Sequence, residues 1–215
     1  MIKKNKWLLL LTSVCILLPI LAGLALWDQL PEQMPVHWDI NGNVDGHTSR
    51  SVAVFVLPCF LLAIHWFGIL FTAADPKHKN IQGQPLTIAF WICPGISIFV
   101  STMIYTQAMG FTADVQTLMP MVLGLLFFLI GNYMPKCRPN YSIGIKISWT
   151  LNDEDNWRST HRFAGIVWTA GGLVMMLSGL VGGLVLIFIV ATLITLLPIL
   201  YSYLYYRKHS AKEES

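Results

Sequence analysis

The sequence predicts an all-α integral membrane protein, a bundle of six transmembrane helices with both termini cytoplasmic. Three observations carry that expectation. Charge is scarce: 12% of the 215 residues are Asp, Glu, Lys or Arg, about half of the roughly 25% found in a soluble domain, and 55% are hydrophobic. A water-soluble globule of this size would lack its polar shell. Six apolar stretches also approach the ~20 helical residues needed to cross ~30 Å of hydrocarbon. With the N-terminus inside, finally, thirteen of the fourteen Lys and Arg fall on the cytoplasmic side and only Arg50 outside, as the positive-inside rule requires. The net charge of +3 is spread too thinly to neutralise a phosphate backbone, so no direct nucleic-acid contact is expected.

The six stretches are Trp7–Trp27, Val52–Ala74, Thr87–Met109, Leu118–Tyr133, Phe163–Leu180 and Leu184–Tyr205, and none contains Asp, Glu, Lys or Arg. The first follows Lys3, Lys4 and Lys6 and runs on to Trp27 without a clean small-x-small exit; it reads as a retained signal-anchor. The fourth is the shortest and could begin near Val115. Only Val181, Gly182 and Gly183 separate the last two, a tight re-entry that glycine tolerates. Pro19, Pro58, Pro94, Pro120 and Pro198 fall within the spans and are read as bends. Trp7, Trp27, Tyr133, Tyr201, Tyr203, Tyr205 and Tyr206 lie near span ends, where amphipathic rings settle at the headgroup level. The chain divides accordingly into residues 1–74 (two spans with an ordered outer loop at 28–51), 75–134 (the third and fourth spans), 134–162 (a cytoplasmic connector) and 163–215 (the last two spans and a short basic tail).

Two segments outside the lipid hold the unusual residues. The outer loop, DQLPEQMPVHWDINGNVDGHTSRS, sets Asp28, Glu32, Asp39 and Asp45 against Arg50. Pro31 and Pro35 favour extended neighbours, so Met34–Asp39 is read as extended, with turns at Asn41-Gly42 and Asp45-Gly46. In the inner loop, MPKCRPNYSIGIKISWTLNDEDNWRSTHR, Thr150 and Asp153 suggest a capping box. Asp153, Glu154 and Asp155 then fall in a first helical turn, where the dipole favours negative charge. A helix from about Leu151 would lead into the fifth span and place Trp157, Thr160, His161 and Ala164 on one face, at the headgroup level or against the bundle. Trp149 and Trp157 suit a border position, and His161-Arg162 reads as an interfacial pair at the mouth of that span.

Other chemistry finds little support. His37, Asp39, Asp45 and His47 could be metal ligands by type, but the grouping is better read as a turn, with His37-Trp38 packing the loop down. The cysteines at 15, 59, 93 and 137 lack C-x-x-C spacing and form neither a disulfide framework nor a zinc knuckle. His65 is the sole ionisable residue in mid-span apart from the thiols and is read as hydrogen-bonded to a neighbouring helix. One histidine and Gln107 do not make a proton relay. No phosphate cradle or nucleophile elbow is present, so neither enzyme activity nor a metal or other cofactor is expected.

Both segments resemble the SdpI-like immunity family. Leu30-Pro31, Pro35, His37-Trp38, Gly42 and Asp45-Gly46 resemble the domain of unknown function that often precedes it. Gly131-Asn132, Pro139-Asn140, Gly144-Ile145-Lys146, Trp149-Thr150-Leu151, Trp157 and Thr160-His161-Arg162 resemble the family's core pattern. The family commonly has Arg-Thr-Pro where this chain has Lys146-Ile147-Ser148; lysine keeps the charge and loses the two-pronged donor. The resemblance implies a multi-pass protein of the bacterial plasma membrane that confers immunity to a secreted, membrane-active peptide toxin. It also raises the role of a toxin receptor that draws a cytosolic repressor to the membrane. The residues expected to face the toxin are His37, Trp38, Asp39, Gly42, Asp45 and Gly46. An inner platform is expected from Asn132, Pro139, Asn140, Gly144, Lys146, Trp149, Thr150, Trp157, Thr160, His161 and Arg162. A small-molecule transporter, or a membrane signalling protein without an immunity role, is the alternative.

Overall fold

The computed structural model describes residues 1–111, 114–181 and 184–213; Gly182 and Gly183, read above as a re-entry, lie outside them. The helices are α1 Lys6–Ala25, α2 Leu57–Ala74, α3 Gln84–Ala108, α4 Val115–Tyr133, α5 Ser148–Asn152, α6 Glu154–Gly179 and α7 Leu184–Glu213. Among the described residues six helices are long and apolar enough to cross a membrane: Ile2–Ala25, Val52–Ala74, Gln84–Ala108, Val115–Lys136, Glu154–Gly179 and Leu184–His209. The fourth starts at Val115, and the fifth continues the connector's own helix without a break. The chain is mostly helical rather than all-α, because the loop at 28–51 folds into two antiparallel strands, β1 Gln33–Trp38 and β2 Val44–Ser49.

The chain forms two compact units. The first holds residues 1–73 and 87–115, and hydroxyl groups tie its helices together. Pro19 cannot donate to the preceding turn of α1, and α3 supplies donors around that gap. Ser97 donates to the Ile16 carbonyl at 2.8 Å and Tyr105 to the Pro19 carbonyl at 3.1 Å. Ser97 and Tyr105 are eight residues apart and so share a helix face. Gly23 makes room for this crossing, since a Cβ there would lie 2.7 Å from Val54 and 2.8 Å from the Tyr105 hydroxyl. His65 is buried and meets the Thr12 hydroxyl of α1 through Nε2 at 3.0 Å, the interhelical bond expected of a lone imidazole in lipid. Five residues, Val52–Val56, are wound as π-helix ahead of α2.

The second unit holds residues 74–86 and 116–215. Here α4 and α6 meet backbone to backbone. Cβ atoms built on Gly124 and Gly172 would each fall 2.5 Å from the other's carbonyl oxygen, and one on Gly131 would fall 2.5 Å from the Thr169 nitrogen. Gly165, Gly172 and Gly179 recur every seven residues on α6, two turns apart, so the same stripe faces α4 along its length. Between α6 and α7, Met175, Ile187, Val190 and Ile194 form a buried cluster. Pro198 leaves the Ile194 carbonyl without its helical donor, and the Trp168 indole donates to that carbonyl at 2.8 Å. In hydrocarbon an orphaned carbonyl costs several kcal/mol, so Trp168 makes Pro198 tolerable within α7.

Candidate functional site

Two regions carry the unusual residues, and their construction differs. In the hairpin, Met34 is fully buried and joins Leu30, Ala53, Val54, Ile104 and Tyr105 in the core of the first unit. Arg50 closes the base. Its guanidinium donates to the Trp27 and Leu30 carbonyls just past the end of α1, at 2.6 and 2.9 Å, and lies 4.4 Å from the centre of the Trp27 ring. Those carbonyls have no helical donors of their own, and a cation there also complements the helix dipole. The indole of Trp38 donates to Gln107 of α3 at 2.8 Å. Trp38 therefore fastens the hairpin down and is half-buried.

The tip turns on Asp39 and Gly42. The Asp39 carboxylate accepts from the backbone of Asn41 and Asn43, both at 2.8 Å, and the Asn43 bond leads in holding that carboxyl below its ordinary value. Gly42 supplies the positive φ of 81° that such a turn needs. The second expected turn is absent: Asp45-Gly46 lies within β2. The pairing slips around His37, which faces Gly46, and a Cβ at position 46 would fall 2.8 Å from the His37 Cβ. That bulge absorbs the glycine, and it turns His37 and Asp45 outward together. His37 donates through Nδ1 to the Asp45 carboxylate at 2.5 Å, with the two side chains 71% and 47% exposed. His47 and Ile40 are exposed beside them. Among the described residues no group of three His, Cys, Asp or Glu could hold a metal ion.

The connector turns its unusual residues inward. Asn140 is buried, and its amide is fully used: Oδ1 accepts from Ser142 and Ile143 at 2.8 and 2.6 Å, and Nδ2 donates to the Arg138 and Ile143 carbonyls. His161, also buried, donates through Nδ1 to the Trp157 carbonyl at 2.8 Å, and its Nε2 accepts from the Ile145 backbone at 3.0 Å. These partners define one neutral tautomer. The imidazole stacks on Trp157 with ring centres 4.1 Å apart, and Trp157 donates to the Cys137 carbonyl at 2.9 Å. Gly144 has φ 118°, and a Cβ there would strike His161 Nε2 at 2.5 Å; the loop can cross this pair only at glycine. Burial also pushes the Cys137 thiol up to about 11, which leaves it unreactive.

Several expectations for this segment need correction. Thr150 does not cap the helix into the fifth span; it ties its own loop, accepting from the Ile147 backbone at 3.1 Å and donating to the Ile145 carbonyl at 2.8 Å. Asp153 is the cap, accepting from the Asp155 and Asn156 backbone, and only Glu154 and Asp155 occupy the first turn. The chain breaks at Asp153 into α5 and α6 because two capping side chains stand three residues apart. Trp157 is fully buried rather than interfacial. His161 and Arg162 are not a pair, since His161 is enclosed and Arg162 exposed. Trp157, Thr160, His161 and Ala164 do share one face, and all four are buried. Trp149 rests on Tyr203 and Tyr206 of α7, Pro139 accepts from Asn80 at 2.7 Å, exposed Lys146 reaches the Ser142 carbonyl, and Asn132 is exposed.

Residues the sequence reading passed over complete the region. Asp75 is 4% exposed, and its carboxylate accepts from the Lys77 and Tyr141 backbone and from the Ser142 hydroxyl at 2.7–2.8 Å. Burial raises its carboxyl, but these bonds and nearby His78 outweigh burial and hold it below the ordinary value. Asn156, Thr160 and Ser202 form a second buried group: both hydroxyls donate to the Asn156 Oδ1, and Nδ2 donates to the Ser202 carbonyl. The only signal for Asp75 was a carboxylate directly after an apolar run; for Asn156 it was an amide inside a buried face.

Residues 136–202 match the SdpI/YfhL protein family, and residues 14–62 match a domain of unknown function, DUF1648. The chain is 27% identical to the immunity protein SdpI of Bacillus subtilis (strain 168), over 96% of this chain and 97% of that protein. No solved structure matches. The six apolar helices and this similarity mark a multi-pass membrane protein, and the protein it is similar to over nearly its whole length is an immunity protein.

Proposed function

We propose that this chain protects a bacterial plasma membrane against a secreted, membrane-active peptide, and that it meets the peptide with its hairpin. One observation carries the reading: the similarity to an immunity protein runs through nearly the whole length of both chains, so it includes the hairpin as well as the connector. Both termini are assigned to the cytoplasm, because thirteen of the fourteen Lys and Arg then satisfy the positive-inside rule. That assignment puts the hairpin outside. Its loop carries Asp28, Glu32, Asp39 and Asp45 against Arg50 alone, a field that would draw in a cationic amphipathic peptide. The groups available for contact are His37, Asp45, His47 and the apolar Ile40; Trp38, Asp39, Gly42 and Gly46 would hold the surface in shape. Of the expected inner platform, a partner such as a repressor would be left with the exposed Asn132, Lys146 and Arg162. The function assigned is one of binding and needs no catalysis.

The test is survival of a toxin-sensitive bacterium producing the chain and challenged with secreted peptides of related strains. The parent should protect. His37→Ala with Asp45→Asn, at unchanged membrane abundance, should lose most of that protection. Full protection by the double variant would remove the hairpin face from the mechanism, and no protection by the parent against any such peptide would remove immunity itself.

A further inference from the structure

A pocket of about 370 Å³ in the second unit is accounted for neither by immunity nor by the buried connector. Lys79, Lys136 and Arg138 line it together with Gly83, Gln84 and Pro85, and no carboxylate does. All three cations are exposed. Among the described residues the ion pairs are His37 with Asp45 and Arg158 with Glu154 and Asp155, so none of the three is neutralised by an acid. The acid at the end of α2, Asp75, is buried, with its oxygens committed to Lys77, Tyr141 and Ser142. The loop's shape is held by neutral contacts: Lys136 Nζ donates to Gln84 at 2.9 Å and sits 4.7 Å from the centre of the Tyr133 ring, and Asn80 donates to the Pro139 carbonyl. The first residues of the 25-residue helix α3 form part of the wall, adding the positive end of a helix dipole.

Position decides what anion this is for. Gln84 opens one candidate span and Lys136 closes another, so the pocket lies where hydrocarbon gives way to headgroups. Basic pockets between helices at that depth take lipid headgroups. We infer that Lys79, Lys136 and Arg138 bind the phosphate of an anionic phospholipid, which is held at the border between the α3 start and the α4 end. Lys136 and Arg138 flank Cys137, whose carbonyl holds Trp157, so an occupied pocket would steady the entry to the connector.

The test uses the full chain in nanodiscs of phosphatidylcholine with a minor fraction of phosphatidylglycerol, and native mass spectrometry to count retained phosphatidylglycerol. Retention should weaken about fivefold for each cation removed, in Lys79→Gln and Arg138→Gln and again in the double variant, the size expected for a basic side chain at a membrane surface. Arg138→Lys should keep most of the affinity, and Arg158→Gln, a cation outside the pocket, should change nothing. Equal retention by parent and double variant would overturn the site. If either variant is poorly folded, the midpoint of parent unfolding in phosphatidylcholine alone, with and without added phosphatidylglycerol, is the second measurement; no upward shift counts against the site. Inorganic phosphate stabilising the phosphatidylcholine sample as well as the lipid does would overturn the lipid assignment in favour of a soluble anion.

Discussion

His37 and His161 are both hydrogen-bonded, yet one is 71% exposed on its side chain and the other is fully buried. His37 bonds to another exposed side chain, Asp45. His161 bonds to two backbone groups, stacks on Trp157 and leaves room only for glycine in the strand of loop that crosses it. The hairpin is fastened by a few anchors, Met34, Trp38 and Arg50, and presents the rest of its chemistry to solvent. The connector spends its unusual residues on its own backbone. A dense motif is thus a scaffold in one region and an offered surface in the other, and burial with backbone partners separates the two.

The largest expected effect attacks the scaffold. His161→Ala removes two buried hydrogen bonds and a stacked ring, and should lower stability by about 3–5 kcal/mol; loss of monodisperse protein on size exclusion, or a thermal midpoint lower by many degrees, would record it. Unchanged yield and midpoint would break the comparison. Asp75→Asn is next, at about 1–3 kcal/mol, because an amide sets a donor against groups that now donate to a carboxylate. Asp75 has a depressed folded value, so its contribution is present above the ordinary carboxylate value of 3.8 and is lost as pH falls through the lower folded one. The parent should lose thermal stability on that acid limb, and Asp75→Asn should flatten it.

Trp38→Phe keeps most of the apolar contact and deletes the indole donor to Gln107. About 1 kcal/mol is expected, read as faster hydrogen exchange in β1 and β2 with α1 and α2 unaffected. Smallest of all in stability is His37→Ala, within about 0.5 kcal/mol as for most surface changes, although it should cost protection in the challenge assay. A large drop in stability here would mean that the hairpin too is scaffold.

The spans were legible because apolar runs of this length have few other uses, and the connector's buried face because Trp157, Thr160, His161 and Ala164 repeat with the helix. Other features depend on pairing that a linear reading does not supply. Asp45-Gly46 has turn chemistry, but the bulge opposite His37 consumed the glycine within a strand. Thr150 and Asp153 are both capping residues, and only the folded loop decides that one closes the turn while the other starts the helix. Asp75 lies 66 residues from Tyr141, whose backbone it holds. Arg50, the one cation that the charge rule would leave outside, reads as an exception to that rule; in the structure its charge is used at the end of α1.

The glycine stripe between α4 and α6 governs how those helices can move. Contact at Gly124 and Gly131 on α4 and at Gly165, Gly172 and Gly179 on α6 recurs every seven residues, about 10.5 Å of rise, and residues one turn away, such as Phe127, Phe128, Trp168 and Thr169, carry side chains. A slip of a single turn would drive β-carbons into a backbone that has no space for them. Telescoping of one helix past the other is therefore blocked, and any working stroke in this pair must be a swivel about the line where the two chains touch.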